Sequence, residues 1–473
     1  MPEFLATLLR SLSGKRGGDM HRLCHQVLSQ RGEASQTVLA GQIIQQYKLM
    51  DSGQQLAFFQ MLARDFGPDN TVAQPALEAY QRAATPAAAT ALSAALEPPR
   101  QELFRRINTG RTGTESLVRW RSDLLRLLRT NPELGVVDAD LKHLFRSWFN
   151  RGFLRMERIG WNTPAITLEK LIAYESVHEI NGWPELRRRL EADRRCFGFF
   201  HPALSDGPVI FVQVALTRGL ARDLAPLIDI TAPVLSPNQC DTAIFYSINN
   251  CLDGLRGIPF GNFLIKQVVD ELGSELPRIR CYSTLSPMPL LAHALETDTA
   301  ATGFTRERLA RLLHEFHADL TRAAQQTDVV KAFFSLLKSP LDHQQALSGA
   351  LRRVALAYLQ CRVEDRPYDP VANFHFSNGA RLESINPFAN VRPYGLRDSF
   401  GVMVNYRYVP NELEENHERF IRTGELRVSG TLLHDYKTVT TLWAGDSSSK
   451  KRSLPARRHD EAATRVNSGS TQL

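Results

Sequence analysis

The hydrophobic pattern of this 473-residue chain changes period near Trp161, and that change limits the folds open to it. Up to about residue 155, apolar side chains recur at helical spacing, as in Leu117, Trp120, Leu124, Leu125, Leu127 and Leu128. Alternating Val/Ile runs are nearly absent there. Pro and Gly separate the helix candidates, at Gly67-Pro68 and along the Ala/Pro-rich stretch from Ala83 to Pro99. No fixed repeat period emerges, which argues against a solenoid. Beyond Trp161 the segments Cys196 to Phe200, Val209 to Ala215, Thr242 to Ile248 and Ile279 to Leu285 read as strands. Phe263 to Leu272 reads as an amphipathic helix between the last two, a strand–turn–helix–strand unit. Residues 304 to 364 return to helix, with Leu309, Leu312, Leu313, Phe316 and Leu320 on one face. Strand-like pieces follow around Asn373 to Phe376 and Gly401 to Tyr408. From Ala444 the sequence is rich in Ser, Arg and Gly and reads as a disordered basic tail. The chain is therefore expected to be α+β and multidomain: a helical domain over residues 1–155, an α/β domain over 156–443, and a tail over 444–473.

Composition narrows the function classes. Hydrophobic residues at 43% and charged residues at 23% match an ordinary globular protein and argue against full disorder or collagen. Apolar runs such as Pro208-Val-Ile-Phe-Val212 fall far short of the roughly 18 residues a membrane helix needs, so no membrane partner is expected. The formal charge of +7 is modest, and part of it sits in Lys450-Lys-Arg452 and Arg457-Arg458. Basic and aromatic residues are not interleaved as in nucleic-acid modules, so no nucleic-acid partner is expected. The six cysteines, Cys24, Cys196, Cys240, Cys251, Cys281 and Cys361, include no pair two or three residues apart. Their scatter reads as reduced, mostly buried thiols in a reducing compartment, the cytoplasm.

Several motifs are absent: GxSxG, the phosphate-binding P-loop, HExxH and GxGxxG. His314-Glu-Phe-His317 and the pair His21 and His25 lack a third ligand, so no metal is expected. Ser335-Leu-Leu-Lys338 lacks companion motifs and reads as helix surface. The informative stretch runs from Thr242 to Lys266: a strand, a loop holding Gly254, Gly257 and Gly261, then a helix. Glycines there let backbone approach a ligand, and the helix start offers unpaired N–H groups and a positive dipole end. That makes a pyrophosphate seat, or a plain strand-to-helix connection. Arg256-Gly-Ile-Pro259-Phe-Gly261 is similar to the Arg/Gln-x-x-Gly-x-Gly/Ala loop of acetyl-CoA-dependent N-acetyltransferases, with Pro259 in place of the first glycine. Pro has no N–H to give, so one phosphate contact is lost or rearranged. Ser286 in Tyr282-Ser-Thr-Leu-Ser-Pro-Met-Pro289 is a hydroxyl at a strand end with prolines fixing the exit. His375 lies in an apolar segment, where the default reading is a satisfied core histidine.

In combination these pieces resemble the malonyl-CoA decarboxylase family. The resemblance rests on Phe245-Tyr-Ser-Ile248, Gly254-Leu-Arg-Gly257, Gly261-Asn-Phe-Leu-Ile-Lys266, Leu285-Ser-Pro287, and Asn373-Phe-His375 followed by Asn378-Gly-Ala380. Val214-Ala-Leu-Thr217 and Asn405-Tyr-Arg-Tyr408 extend it, so that it spans roughly residues 160 to 410. It implies a helical oligomerisation domain followed by an acetyltransferase-like (GNAT-type) catalytic domain, in a homo-oligomer, a tetramer. The implied activity is malonyl-CoA to acetyl-CoA and carbon dioxide through a thioester enolate, without metal or organic cofactor. The implied catalytic residues are Ser286 and His375, and the coenzyme A loop is Arg256, Gly257, Ile258, Pro259, Phe260, Gly261 and Asn262. Ser247 and Asn378 are candidate accessory residues. Family members carry a glutamate where Pro259 stands, so no role for that carboxylate carries over. His375 is expected to act as proton donor with a pKa near the working pH, and Ser286 to orient or relay. Phe374 and Phe376 are expected to be core packing. Two competing readings remain at this stage: an acyltransferase on the same fold, which needs an acceptor groove, and a non-enzymatic helical scaffold or RNA-binding protein.

Overall fold

A computed structural model describes residues 16–29, 32–204, 207–258, 263–297, 299–363 and 366–444. The tail expected from residue 444 thus lies outside the described residues from 445 onward. The N-terminal part is helical throughout: α1 (Arg16–Ser29), α2 (Glu33–Lys48), α3 (Ser52–Asp65), α4 (Asn70–Arg82), α5 (Pro86–Leu96), α6 (Pro99–Asn108), α7 (Gly113–Leu127) and α8 (Gly135–Trp148). Local chemistry marks the ends. Asp51 accepts the Gln54 N–H at 2.8 Å while the Gln54 side chain accepts the Asp51 N–H at 3.1 Å, a reciprocal cap for α3. Thr85 caps α5, with Pro86 at its first position. The periodic apolar residues meet in a ring cluster: Tyr47 lies 4.6 Å and Phe58 5.2 Å from Trp120.

Next comes an eight-stranded mixed sheet. Its strands are β1 (Arg155–Ile159), β2 (Arg194–Phe200), β3 (Ile210–Thr217), β4 (Thr242–Asn250), β5 (Cys281–Thr284), β6 (Ser286–Pro287), β9 (Arg381–Asn386) and β10 (Met403–Tyr408). Two-residue strands β7 (Arg362–Val363) and β8 (Arg366–Pro367) pair separately. The order is β1-β2-β3-β4-β5-β10-β6, with β9 also on β10. Pairing is antiparallel except between β4 and β5, which are parallel. A parallel pair needs a crossover. Helix α9 (Ala165–Tyr174) precedes β2, and helix α10 (Phe263–Glu275) makes the β4–β5 crossover, as its glycine-loop and helix pattern predicts. This arrangement, helices first and mixed sheet second, agrees with the expected fold class.

Strand alternation sets what each face of the sheet packs against. Val212, Val214 and Leu216 of β3 join Leu264, Ile265, Val268 and Leu272 of α10 in a core that also contains Trp120 and Phe145 of the helical part. Phe211 and Ala215 face the other way, into two smaller clusters. The two halves of the chain therefore share one continuous apolar interior. Near the C-terminus, α11 (Gln344–Tyr358) and α12 (Pro370–Ser377) back onto the sheet. Helix α12 corrects the sequence reading: Asn373 to Phe376 is helix, not strand. Asp369 caps it, accepting the Ala372 N–H at 2.7 Å, and Pro370 occupies the first position. An Asp cap with Pro at the first position starts the helix despite the weak helix propensity of the residues that follow.

A polar joint fixes the helices to the loop after β4. Arg121 of α7 is 1% exposed. Its Nη1 donates to the Gly254 carbonyl at 2.6 Å and to the Arg256 carbonyl at 2.9 Å, and its Nε donates to Asp138 Oδ1 of α8 at 2.7 Å. Gly254 sits so close to α7 that a Cβ there would lie 1.8 Å from the Val118 carbonyl oxygen. Gly254→Ala is therefore expected to lower unfolding free energy by about 1–3 kcal/mol, the usual cost of overpacking. Urea denaturation checks this; an unchanged midpoint would mean that the loop is not seated on α7 in solution.

Candidate active site

The parallel pairing of β4 with β5 ends at Phe245 and Thr284. One further bond, from the Leu285 N–H to the Phe245 carbonyl at 3.0 Å, closes it. Beyond that point the chain turns to β10: Ser286 pairs with Val404 and Pro287 with Met403. At the break, the Tyr406 N–H is taken by Thr284 Oγ1 at 3.1 Å, and Asn405 Nδ2 donates to the Thr284 carbonyl at 2.6 Å. Side chains thus replace missing ladder bonds where Ser286 emerges.

His375 arrives from the last turn of α12. Its Nε2 is 2.9 Å from Ser286 Oγ, and its Nδ1 is 2.7 Å from the Tyr408 hydroxyl. The ring stacks on Tyr406 at 4.4 Å and 23°, with Phe374 edge-on at 5.1 Å. Phe376, on Tyr406 and Phe420, packs in the core as expected. Ser286 Oγ also donates to Thr284 Oγ1 at 2.9 Å. The heavy atoms admit one unbroken sequence: Tyr408 O–H to Nδ1, Nε2–H to Ser286 Oγ, and Ser286 O–H to Thr284. Ser286 is its most exposed member at 7%, against 2% for both His375 and Tyr408.

Burial pushes the His375 imidazole down to about 3 and the Tyr408 hydroxyl well above its ordinary range. Both are neutral near pH 7. The expectation that His375 titrates near the working pH is thus corrected for the free chain. Its two ring nitrogens meet hydroxyls, and among the described residues no carboxylate offsets the loss of water.

Ser247 belongs to a second buried cluster. Its hydroxyl donates to Glu175 Oε2 at 2.6 Å. Gln213 Nε2 at 2.8 Å and Asn249 Nδ2 at 2.9 Å also donate to that carboxylate, and Arg189 faces it at 3.8 Å. Ser247 and Ser286 each lie two residues past the last β4–β5 pair, yet no hydrogen bond joins Ser247 to the Ser286–His375 pair among the described residues. Asn378 closes α12, its Nδ2 on the Phe374 carbonyl at 2.7 Å. Of the loop residues, Arg256 is exposed and ion-paired to Asp253 at 2.8 Å, Gly257 takes φ +74°, and Ile258 is buried. Pro259, Phe260, Gly261 and Asn262 lie outside the described residues. Among the described residues no three His, Cys, Asp or Glu side chains are grouped to hold a metal ion.

Sequence reasoning did not find Tyr408, Thr284 or Glu175. Tyr406 and Tyr408 stood in a quoted motif, and strand alternation puts them on one face, but the histidine they flank comes from a helix read as strand.

Comparison with known proteins follows the same outline. Residues 152–444 match the malonyl-CoA decarboxylase C-terminal domain model and residues 66–149 the malonyl-CoA decarboxylase N-terminal domain model. The mitochondrial malonyl-CoA decarboxylase of Anser anser anser is 31% identical over 423 residues, covering 83% of this chain and 82% of the relative. That of Mus musculus is 32% identical over 406 residues, covering 81% and 82%. Crystal structures of malonyl-CoA decarboxylase from Rhodopseudomonas palustris and Agrobacterium vitis are similar in three dimensions. The first has 42% identity and a TM-score of 0.79, covering 89% of this chain and 99% of that one. The second has 41% identity and a TM-score of 0.76, covering 90% and 99%.

The buried groups make a pH prediction. Imidazoles held near 3, His375 and His178, contribute stability present above their unfolded value of 6.5 and lost as pH falls through that window. Asp369, raised to about 6, acts in the opposite sense, losing its contribution as pH rises from 3.8. Two imidazoles outweigh one carboxyl, so the urea midpoint should fall on acidification below pH 6.5. His178→Gln should flatten that fall; an equal slope in both proteins would contradict the burial of a neutral His178.

Proposed function

The chain belongs to the malonyl-CoA decarboxylase family, and on that premise we propose that Ser286 and His375 perform the decarboxylation with Tyr408 behind them. The activity is that of a carboxy-lyase, malonyl-CoA to acetyl-CoA and carbon dioxide. The hydrogen-bonded Tyr408–His375–Ser286 chain, with Ser286 less buried than the other two, is the observation that carries these assignments.

Breaking the bond to the carboxylate leaves an electron pair on the alpha carbon. The thioester carbonyl takes it up as an enolate, so the substrate supplies its own electron sink. By rotating away from Thr284, the Ser286 O–H can donate to the developing oxyanion or to the carboxylate. One such donor is typically worth about 3–4 kcal/mol. The free chain keeps His375 neutral because no negative charge accompanies it. A malonyl group brings that charge and raises the imidazole's proton affinity. His375, having taken up a proton from water, can then pass one through Ser286 to the alpha carbon as carbon dioxide leaves, which returns the imidazole to its neutral form. Tyr408 fixes the ring through Nδ1.

The loop from Arg256 to Asn262 is the coenzyme A seat in this scheme, supported by the left-handed Gly257, the exposed Arg256 and the helix that follows. The division at about residue 155 separates an oligomerisation part from the catalytic part. Helix α5, apolar yet with no buried residue, supports association into a homo-oligomer, which the family reading takes as a tetramer. No helix among the described residues is long and apolar enough to cross a membrane. Six free thiols support a reducing compartment, the cytoplasm.

Incubation with malonyl-CoA alone tests the reaction. Acetyl-CoA and carbon dioxide should appear in equal amounts. His375→Ala and Ser286→Ala should each lower kcat by roughly 100-fold or more with coenzyme A affinity retained. Tyr408→Phe should cost roughly tenfold, about one hydrogen bond. Arg256→Ala should mainly raise KM. Full turnover in His375→Ala would end the catalytic assignment.

A further inference from the structure

Lys142 lies on α8, one turn after Asp138. Its amine approaches Asp138 Oδ2 only to 3.9 Å, and its side chain is 39% exposed. Asp138 is already bound to Arg121 through its other oxygen at 2.7 Å. One carboxylate therefore faces two cations, and a long, half-exposed ion pair contributes little stability. The position of Lys142 makes more sense from the loop side. A Cβ on Gly257 would lie 3.6 Å from Lys142 Cε and 3.9 Å from Nζ. The ammonium thus stands over the left-handed glycine next to Arg256, on the segment that Arg121 holds by two carbonyls. A flexible, solvent-reaching ammonium above exposed backbone is suited to a phosphate as a point charge.

We propose that Lys142, from the helical part of the chain, is a phosphate contact for the nucleotide end of coenzyme A, with Arg121 and Asp138 as positioning residues that hold Gly257 beneath it. This rests on the reading of residues 256 to 262 as the coenzyme A loop. It makes the helical part a contributor to substrate binding as well as a packing surface.

The test uses the full chain with Lys142→Ala, Lys142→Glu and Lys142→Arg. Coenzyme A affinity is measured by calorimetry, and KM and kcat with malonyl-CoA and with malonyl-pantetheine, which carries no phosphate. The alanine variant should bind coenzyme A about five-fold more weakly, the glutamate variant more weakly still, and the arginine variant nearly as the parent. The loss should fall in KM for malonyl-CoA and be absent with malonyl-pantetheine. Unchanged coenzyme A affinity in Lys142→Glu overturns the proposal, as does an equal loss with malonyl-pantetheine. Arg256→Ala, run beside them, separates the two ideas. If it weakens coenzyme A and Lys142→Glu does not, the loop reading stands and the Lys142 contact falls. If neither matters, both fall.

Discussion

A guanidinium removed from water must find acceptors on the protein, and Arg121 finds three of them on two segments at once. Asp138 holds it from α8, while the Gly254 and Arg256 carbonyls hold it from the loop after β4. These bonds join the close seating of Gly254 on Val118 and of Gly257 beneath Lys142. Removing either partner would leave a buried charge or unpaired carbonyls, which is why the joint has so little freedom. The shared apolar interior brings the two parts together without specifying how they align. This polar joint sets the alignment.

Two buried polar systems lie beyond the end of the β4–β5 ladder, and they solve the burial problem differently. Glu175 keeps its oxygens surrounded by donors from Ser247, Gln213 and Asn249 and faces Arg189. It is a closed network in which the serine hydroxyl is occupied. Among the described residues His375 has hydroxyls on both nitrogens and no ionic partner, and its chain of bonds runs to Ser286, which is less buried than the histidine. A saturated network rigidifies, whereas a neutral, incompletely compensated one can respond to an incoming charge. That contrast separates the two serines, which the sequence places near the same site.

The change of period near Trp161, strands β2 to β5 and β10, and the crossover at α10 were legible because each depends on local alternation or on a glycine turn, whereas β1 and β9 went unread. The length of α12 was not, since three aromatic or apolar residues in four suggested a strand while the Asp369-Pro370 start went unread. Ser286 and His375 came from motif resemblance, and the structure brings them to 2.9 Å. Their partners were harder to reach. Tyr408 and Thr284 act through register at a broken ladder, and Glu175 lies 72 residues from Ser247 in the chain. Neither kind of relation leaves a pattern in neighbouring residues.

The Arg121 bond to the Gly254 carbonyl closes a separation of 133 residues. Contacts that distant form late, because the intervening chain must be ordered before they reward its confinement. During synthesis α7 and α8 emerge well before β4, so the surface that receives the loop can exist before the loop does. Order of translation and order of docking then coincide. A rearranged chain carrying the same residues, with the sheet made first, would expose a glycine-rich segment with nothing to settle on until the helices followed.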